Sequence, residues 1–326
     1  MMSTISSSLR QLEAKMPHQI AFLYAFIAQT SFVVAQSLVQ VLTKSLTPIQ
    51  VLYFAGLVVA IINYFIMKRQ GESTYSKIPK ITKMLLFRGF FGFACAVFLN
   101  TGISLMPLSE SIVIQQTSPV FTGLLAFCLL SEKYNRTLVL TTIFSFVGII
   151  LISKPAAIFG ANSEKEAAVF PYRSLGIVLT LIGSFANSVI QITLKKIGGA
   201  SSPNSTAFYW GIGLAMSSPI VQTFKGAKPF YFGLTVLLVL VGLCRFINQI
   251  YLHKSFALGE ANKVSLISYS QVPIAYIVDV FIFGVTVDIY SAIGSVCVFS
   301  CVFLMIYKNH TETKMKNAKM AKATSH

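Results

Sequence analysis

Arg245 is followed at i+3 and i+4 by Asn248 and Gln249, a spacing that puts one guanidinium and two amides on the same face of a helix. A guanidinium fork matches the oxygens of a carboxylate or a phosphate, so this triplet reads as a candidate anion site. The triplet lies in an apolar stretch, Phe232 to Leu252, and Arg245 stands seven residues before its end. At the helical rise that is about 10 Å of depth. Gln271, seven residues into the stretch Val264 to Phe283, reaches a similar depth, and Lys263 stands at the mouth of that stretch, where it can draw an anion in.

Further polar side chains recur at helical spacing. Gln29, Gln36 and Gln40 lie at i, i+7 and i+11, and Thr180, Ser184, Asn187 and Gln191 repeat the pattern; Gln115, Gln116 and Asn100 sit singly or paired in other apolar runs. Amides and hydroxyls on apolar helices either tie helices together or line a polar cavity. The candidate solute-binding set is therefore Arg245, Asn248, Gln249, Gln271, Gln29, Gln36, Asn100, Gln115, Gln116, Asn187, Gln191 and Lys263. Other groups have local explanations. Arg88, four residues inside its stretch, is expected to reach the interface, and Asp279, four residues from the far end of its own, is expected to be wet. Glu110 and Glu260 precede apolar runs and suit helix N-termini.

Catalysis finds no support in the residues. There are four histidines, and no His-Glu-x-x-His, Gly-x-Ser-x-Gly or phosphate-loop pattern, so neither an enzyme nor a bound cofactor is expected. The five cysteines all fall in apolar runs without a Cys-x-x-Cys pair and read as small packing residues.

The elements that position these residues follow from composition. Of the 326 residues 55% are apolar and only 11% charged, and the mean hydropathy is +0.72. A soluble domain carries about 25% charged residues. Ten stretches approach the roughly 20 residues that a bilayer needs: Ile20 to Leu42, Ile49 to Met67, Met84 to Met106, Ser111 to Leu130, Thr137 to Ser153, Leu175 to Leu194, Ala207 to Phe224, Phe232 to Leu252, Val264 to Phe283 and Ile289 to Tyr307. The fifth is short and the seventh, with Trp210 and Pro219, is uneven, which leaves nine spans as the alternative.

The net charge of +16 would suggest nucleic acid on a polar protein, but this chain lacks the polar surface to carry such a patch. Placing the N-terminus inside puts 17 Lys and Arg residues in inner segments and six in outer loops, with Arg88, Arg245 and Lys263 in or at the ends of spans. That bias predicts cytosolic termini. The triplets at Asn135, Asn204 and Asn309 then face the cytosol and are expected to carry no glycan. The lysine-bearing tail, residues 308–326, is expected to touch anionic lipid.

Residues 20–153 and 174–307 each hold five stretches in equal length, between a cytosolic segment 1–19, a loop 154–173 and the tail. Five is odd, so a duplicated second half enters from the opposite face, giving two inverted five-helix repeats in an all-α integral membrane protein. Arg88 and Arg245, Leu108-Ser-Glu110 and Leu258-Gly-Glu260, and Pro119 and Pro273 are the traces of the repeat.

The stretches Met106-Pro-Leu-Ser-Glu110, Thr117-Ser-Pro119-Val-Phe121-Thr-Gly-Leu-Leu125-Ala, Leu130-Ser-Glu132 and Phe146-Val-Gly148-Ile-Ile-Leu-Ile152-Ser-Lys-Pro155 resemble the EamA-type domain of the drug/metabolite transporter superfamily. The resemblance implies a ten-helix carrier that moves a small metabolite through a central cavity by alternating access. In the second half the family's acid after Phe-Gly is replaced, since Val285 follows Phe283-Gly284. With the buried arginine, the expectation is a secondary transporter of a small polar, anionic metabolite. An ion channel or metal-ion permease is the alternative, although it calls for intramembrane acids, and only Asp279 lies inside a span.

Overall fold

A computed structural model describes residue 13 and residues 16–42, 45–73, 78–105, 114–132, 136–153, 172–225, 232–283, 289–290, 292–301, 303–304 and 307. Among them every regular element is a helix. We number these α1 (Pro17–Leu42), α2 (Pro48–Gln70), α3 (Pro79–Ser104), α4 (Ser118–Leu130), α5 (Arg136–Ser153), α6 (Arg173–Ile197), α7 (Pro203–Lys225), α8 (Thr235–Leu258), α9 (Ala261–Leu266), α10 (Gln271–Phe283) and α11 (Ala292–Cys301). A 3₁₀ segment, Ile267–Ser270, joins α9 to α10. Five of the helices are long and apolar enough to cross a membrane: α1, α2, α3, α6 and α8. With the apolar α4, α5 and α11 beside them, the chain is an integral, multi-pass membrane protein.

Local chemistry sets the helix ends. Thr47 and Gln50 cap α2 reciprocally, Thr47 Oγ1 accepting from the Gln50 amide and Gln50 Oε1 from the Thr47 amide, and Gly71 closes the helix in the left-handed region at φ 68°. Pro79 occupies the first position of α3, where its missing N–H is not needed. Helix α8 runs past the apolar stretch through His253-Lys254-Ser255 and ends at Gly259, whose amide donates to Ser255 O.

These ends extend two helices beyond their apolar stretches. Because α3 starts at Pro79 instead of Met84, Arg88 is nine residues, about 14 Å, inside it. Because α8 ends at Leu258 instead of Leu252, Arg245 is thirteen residues, about 20 Å, from that end and ten from Thr235. Both arginines lie well inside their helices, and Arg88, expected to reach outward, is instead buried.

The expected fourth and ninth spans are not uninterrupted helices. Residues 114–115 are helical, a turn follows at 116–117, and α4 begins at Ser118 with Pro119 in its first turn. The ninth is broken into α9, the 3₁₀ segment and α10, with Pro273 in the first turn after the break. A proline cannot donate back into the preceding turn, so both breaks lie just before one. Ser265, Ser268 and Ser270 each donate to the carbonyl three residues earlier, at 3.0, 2.6 and 2.7 Å, and stabilise the tightened stretch.

Helix pairing has a regular pattern. α1 packs along α8, α3 along α6 and α2 along α7; α4 packs on α9, and α5 meets α11. Exchanging each of the first five segments with the one five places later turns α1–α8 into α6–α3 and α2–α8 into α7–α3. It leaves α2–α7, α4–α9 and α5–α11 as self-pairs. Glycines lie at two of the self-paired crossings, α2–α7 and α5–α11. A Cβ on Gly56 would come within 2.9 Å of Gly211 O, and one on Gly211 within 2.7 Å of Gly56 O; Gly148 stands 2.8 Å by the same measure from Gly294 O. Only glycine permits these backbones to approach so closely.

Candidate functional site

The polar residues expected to face inward form two clusters. The first lies where α1 crosses α8 and meets α10. Arg245, 6% exposed, donates from Nη2 to Gln36 Oε1 at 3.0 Å, and its Cζ lies 4.4 Å from the centre of the Phe32 ring. Gln36 and Phe32 are one turn apart on α1. One turn further back, Gln29 accepts a short hydrogen bond from Gln271 Nε2 at the start of α10. The face of α1 that carries the glutamine stripe is thus the face that meets α8 and α10.

A directional chain extends from the same face of α8. Arg88 donates from Nη1 to Thr206 O at 2.6 Å and from Nη2 to Gln249 Oε1 at 2.5 Å. Gln249 Nε2 donates to Asn248 Oδ1 at 3.2 Å, and Asn248 Nδ2 donates to Ala28 O at 2.9 Å. Arg88 therefore links α3, α7 and α8, and through two amides it reaches α1. It is 1% exposed. The Nε atoms of Arg88 and Arg245 are both buried without a hydrogen-bond partner. Sequence reasoning missed Arg88 because a hydropathy window discards the polar first turn Pro79-Lys-Ile-Thr-Lys83; the proline preceding that run was the available signal.

The second cluster lies between α4 and α6. Ser188 Oγ donates to Ser118 O at 2.8 Å and Ser184 O at 2.9 Å, and Ser184 Oγ to Ile114 O at 3.1 Å. Asn187 Nδ2 donates to Ser118 Oγ at 3.0 Å, and Thr122 Oγ1 to Gln191 Oε1 at 3.0 Å. Asn187 and Gln191 are thus brought together with hydroxyls, away from the arginines. Gln115, half-buried, and Gln116, buried, flank the turn before α4, and the Gln115 carbonyl accepts from Ser184 at 3.5 Å.

The remaining expectations divide. Lys263 forms an ion pair with Glu260 at 3.1 Å, one turn apart at the start of α9, so it is not a free cation at a cavity mouth. Gln40, Asn100 and Asp279 lie on described helices, but their side chains, like Glu110 and the tail from residue 308, lie outside the described residues.

A third group joins the two halves at the end of the bundle that holds the start of α1. Glu132, which the sequence reading passed over, accepts from the amides of Ala261 and Asn262 at 2.8 and 3.0 Å, holding the N-terminus of α9 against the end of α4. Ser202 donates to Glu72 at 2.6 Å and Asn204 to Gln70 at 3.1 Å. Lys195 donates to Gly259 O at 2.5 Å.

Residues 19–154 match the EamA-like transporter family. The chain is 28% identical over 218 residues to solute carrier family 35 member G1 of Homo sapiens, across 66% of this chain and 59% of that protein; the match thus spans about three-fifths of that relative's length. It is 27% identical over 228 residues to an S-adenosylmethionine uptake transporter of Rickettsia prowazekii, across 70% of this chain and 72% of that one. A solved crystal structure superposes on 88% of the chain with a TM-score of 0.72 at 14% identity, which establishes a shared fold. The matched family and these two named relatives are carriers, not enzymes.

Proposed function

The chain belongs to the drug/metabolite transporter superfamily, and on that premise we propose that it is a secondary active transporter of a small polar anion. The observation that carries the anion is Arg245, a permanently charged group about 15 to 20 Å from either end of its helix, which meets Gln36 and Phe32 and, among the described residues, no carboxylate. An arginine at that depth costs about 2.5 to 3.5 kcal/mol on insertion scales. Such residues persist where a solute meets them. Gln36 at Arg245, and Gln29 with Gln271 two turns away along the same face of α1, supply the neutral hydrogen-bonding groups that orient an anion.

The proposed mechanism is alternating access between two inverted five-helix repeats, residues 20–153 and 174–307. The helix exchange pattern supports it, as do the matched breaks before Pro119 and Pro273, because interrupted helices in equivalent positions of two repeats are a recurrent feature of transporter sites. With the termini in the cytosol, as the lysine and arginine bias favours, the contacts of Glu132, Glu72 and Lys195 close the cytosolic end. The solute then enters from the opposite side, and those contacts must open to release it.

The test is uptake into liposomes by the purified full chain from a panel of anionic, neutral and cationic solutes. Saturable uptake of an anion, weakened in Arg245→Gln, is expected. Uptake confined to neutral or cationic solutes, or unchanged anion uptake in that variant, overturns the anion site.

A further inference from the structure

Resting on the anion reading above, we infer that the transported solute carries two negative charges, and that Arg88 provides the second positive charge it neutralises. The four carboxylates whose side chains are described are all engaged at helix ends. Glu13 accepts from Tyr24 and faces Lys254 at 3.9 Å, Glu72 takes Ser202, Glu132 takes the α9 amides and Glu260 takes Lys263. Among the described residues none of these acids, nor any other, forms an ion pair with Arg88 or Arg245. Among the described residues, then, the two buried guanidiniums are met only by neutral dipoles.

The two cations address one surface. Arg245 and Gln249 are successive turns of a single face of α8, about 5 to 6 Å apart at Cβ, and Arg88 rests its Nη2 on Gln249 Oε1. An anion that reaches Arg245 along this face is one side chain away from Arg88. A guanidinium has five N–H donors. Arg245 uses Nη2 on Gln36, Arg88 uses Nη1 and Nη2 on Thr206 O and Gln249, and each keeps a buried Nε with no partner. The oxygens that meet these guanidiniums, Gln36 Oε1, Thr206 O and Gln249 Oε1, are all neutral. A monoanion would neutralise one buried charge and leave the other, whereas a dianion neutralises both, and the low dielectric around the helices enlarges that difference. A dicarboxylate and a phosphate monoester share the required chemistry.

The test uses the purified full chain in detergent and two matched probe pairs at equal ionic strength, succinate against monomethyl succinate and methyl phosphate against dimethyl phosphate, read as shifts in melting temperature at millimolar probe. The dianionic member of at least one pair is expected to stabilise by several degrees more than its monoanionic partner, and the responding pair identifies carboxylate or phosphate. Arg88→Gln reduces the dianion shift to the monoanion level, Arg88→Lys retains a preference, and Arg245→Gln removes both shifts. Asp279→Asn, which removes the one carboxylate the sequence places within α10, leaves the preference unchanged.

Equal shifts within both pairs, no shift from any probe, or a dianion preference that survives Arg88→Gln overturns the inference. So does a preference that first appears in Asp279→Asn, since Arg88 is then neutralised from within the chain. Because the wild-type comparison decides the question by itself, a variant that fails to fold does not shield the proposal. Shifts that persist in Arg245→Gln instead sink the anion site on which the inference rests.

Discussion

The α1–α8 crossing and the α4–α6 crossing are both polar seams in apolar surroundings, but they satisfy their hydrogen bonds differently. Between α4 and α6 the donors are mostly hydroxyls, and Ser184, Ser188 and Thr122 return their protons to carbonyls or to Gln191. A hydroxyl of this kind needs no outside partner, since a backbone oxygen has a second lone pair to offer. Between α1 and α8 the Arg245 guanidinium donates beside the Asn248 amide, and a second guanidinium, Arg88, reaches α8 from α3. Hydrogen bonds donated to Gln36 and Gln249 use some of the guanidinium N–H groups, yet they leave the formal charge intact. One seam closes its hydrogen bonds within the protein, and in the proposed function the other is completed by an arriving anion. Polarity inside a membrane therefore divides into adhesive and receptive kinds, and net charge is what separates them.

The largest expected effect tests the receptive seam. Arg245→Gln should reduce uptake of the best anionic solute in liposomes at least tenfold while leaving melting temperature equal or higher, because it removes a buried charge whose insertion costs about 2.5 to 3.5 kcal/mol. A loss of uptake that accompanies a matching loss of stability would make this seam adhesive too, and the comparison would collapse.

The converse substitution tests the adhesive seam. Ser188→Val removes hydrogen bonds to two carbonyls and adds a methyl group against α4, at about 1 to 3 kcal/mol for the overpacking and polar loss. Its melting temperature should fall, whereas KM for the anion measured on the surviving folded protein should not move. A raised KM with unchanged stability would place Ser188 in the solute's path.

Much of this division was legible in the sequence, and its failures share one physical cause. The stripe Gln29, Gln36 and Gln40 and the triplet Arg245, Asn248 and Gln249 follow from helical periodicity, which is robust to errors at helix ends. Depth is not robust, because it is counted from those ends. Hydropathy stops at Met84 and Leu252, while the helices continue through Pro79-Lys80 and Lys254-Ser255, so the burial of Arg88 was not legible from the apolar stretch. Pairing was also beyond reach. Nothing in the spacing of Asn187 and Gln191 says that they meet Ser118 and Thr122 instead of an arginine, and nothing in Glu132 points to the start of α9, 129 residues away.

A smaller effect is expected at Gln36, which belongs to the receptive seam without carrying charge. Gln36→Leu removes the acceptor of the Arg245 Nη2 bond and leaves the guanidinium less well oriented. A neutral hydrogen bond to a charged group contributes about 1.5 to 3 kcal/mol in favourable geometry, but an incoming anion replaces that acceptor, so only part of the loss reaches the bound state. KM should rise a few-fold with the maximal rate retained. A fall in the maximal rate alone would assign Gln36 to the conformational step.

The smallest effect is expected at the end of the bundle where the halves are joined by a carboxylate and not by the seams. Glu132 holds two amides of α9 with one charge, at 2.8 and 3.0 Å. Glu132→Gln retains one accepting oxygen but removes the charge that faces the helix N-terminus, an interaction of about 0.3 to 1 kcal/mol. The melting temperature should fall by less than in Ser188→Val. In the proposed mechanism this contact closes one end of the pathway and touches neither seam, so turnover should change while the relative uptake of different anions stays fixed. If the ratio of anions altered in Glu132→Gln, selectivity would be set partly by the closing contact, and the sharp division between adhesive and receptive surfaces would extend to the ends of the helices as well.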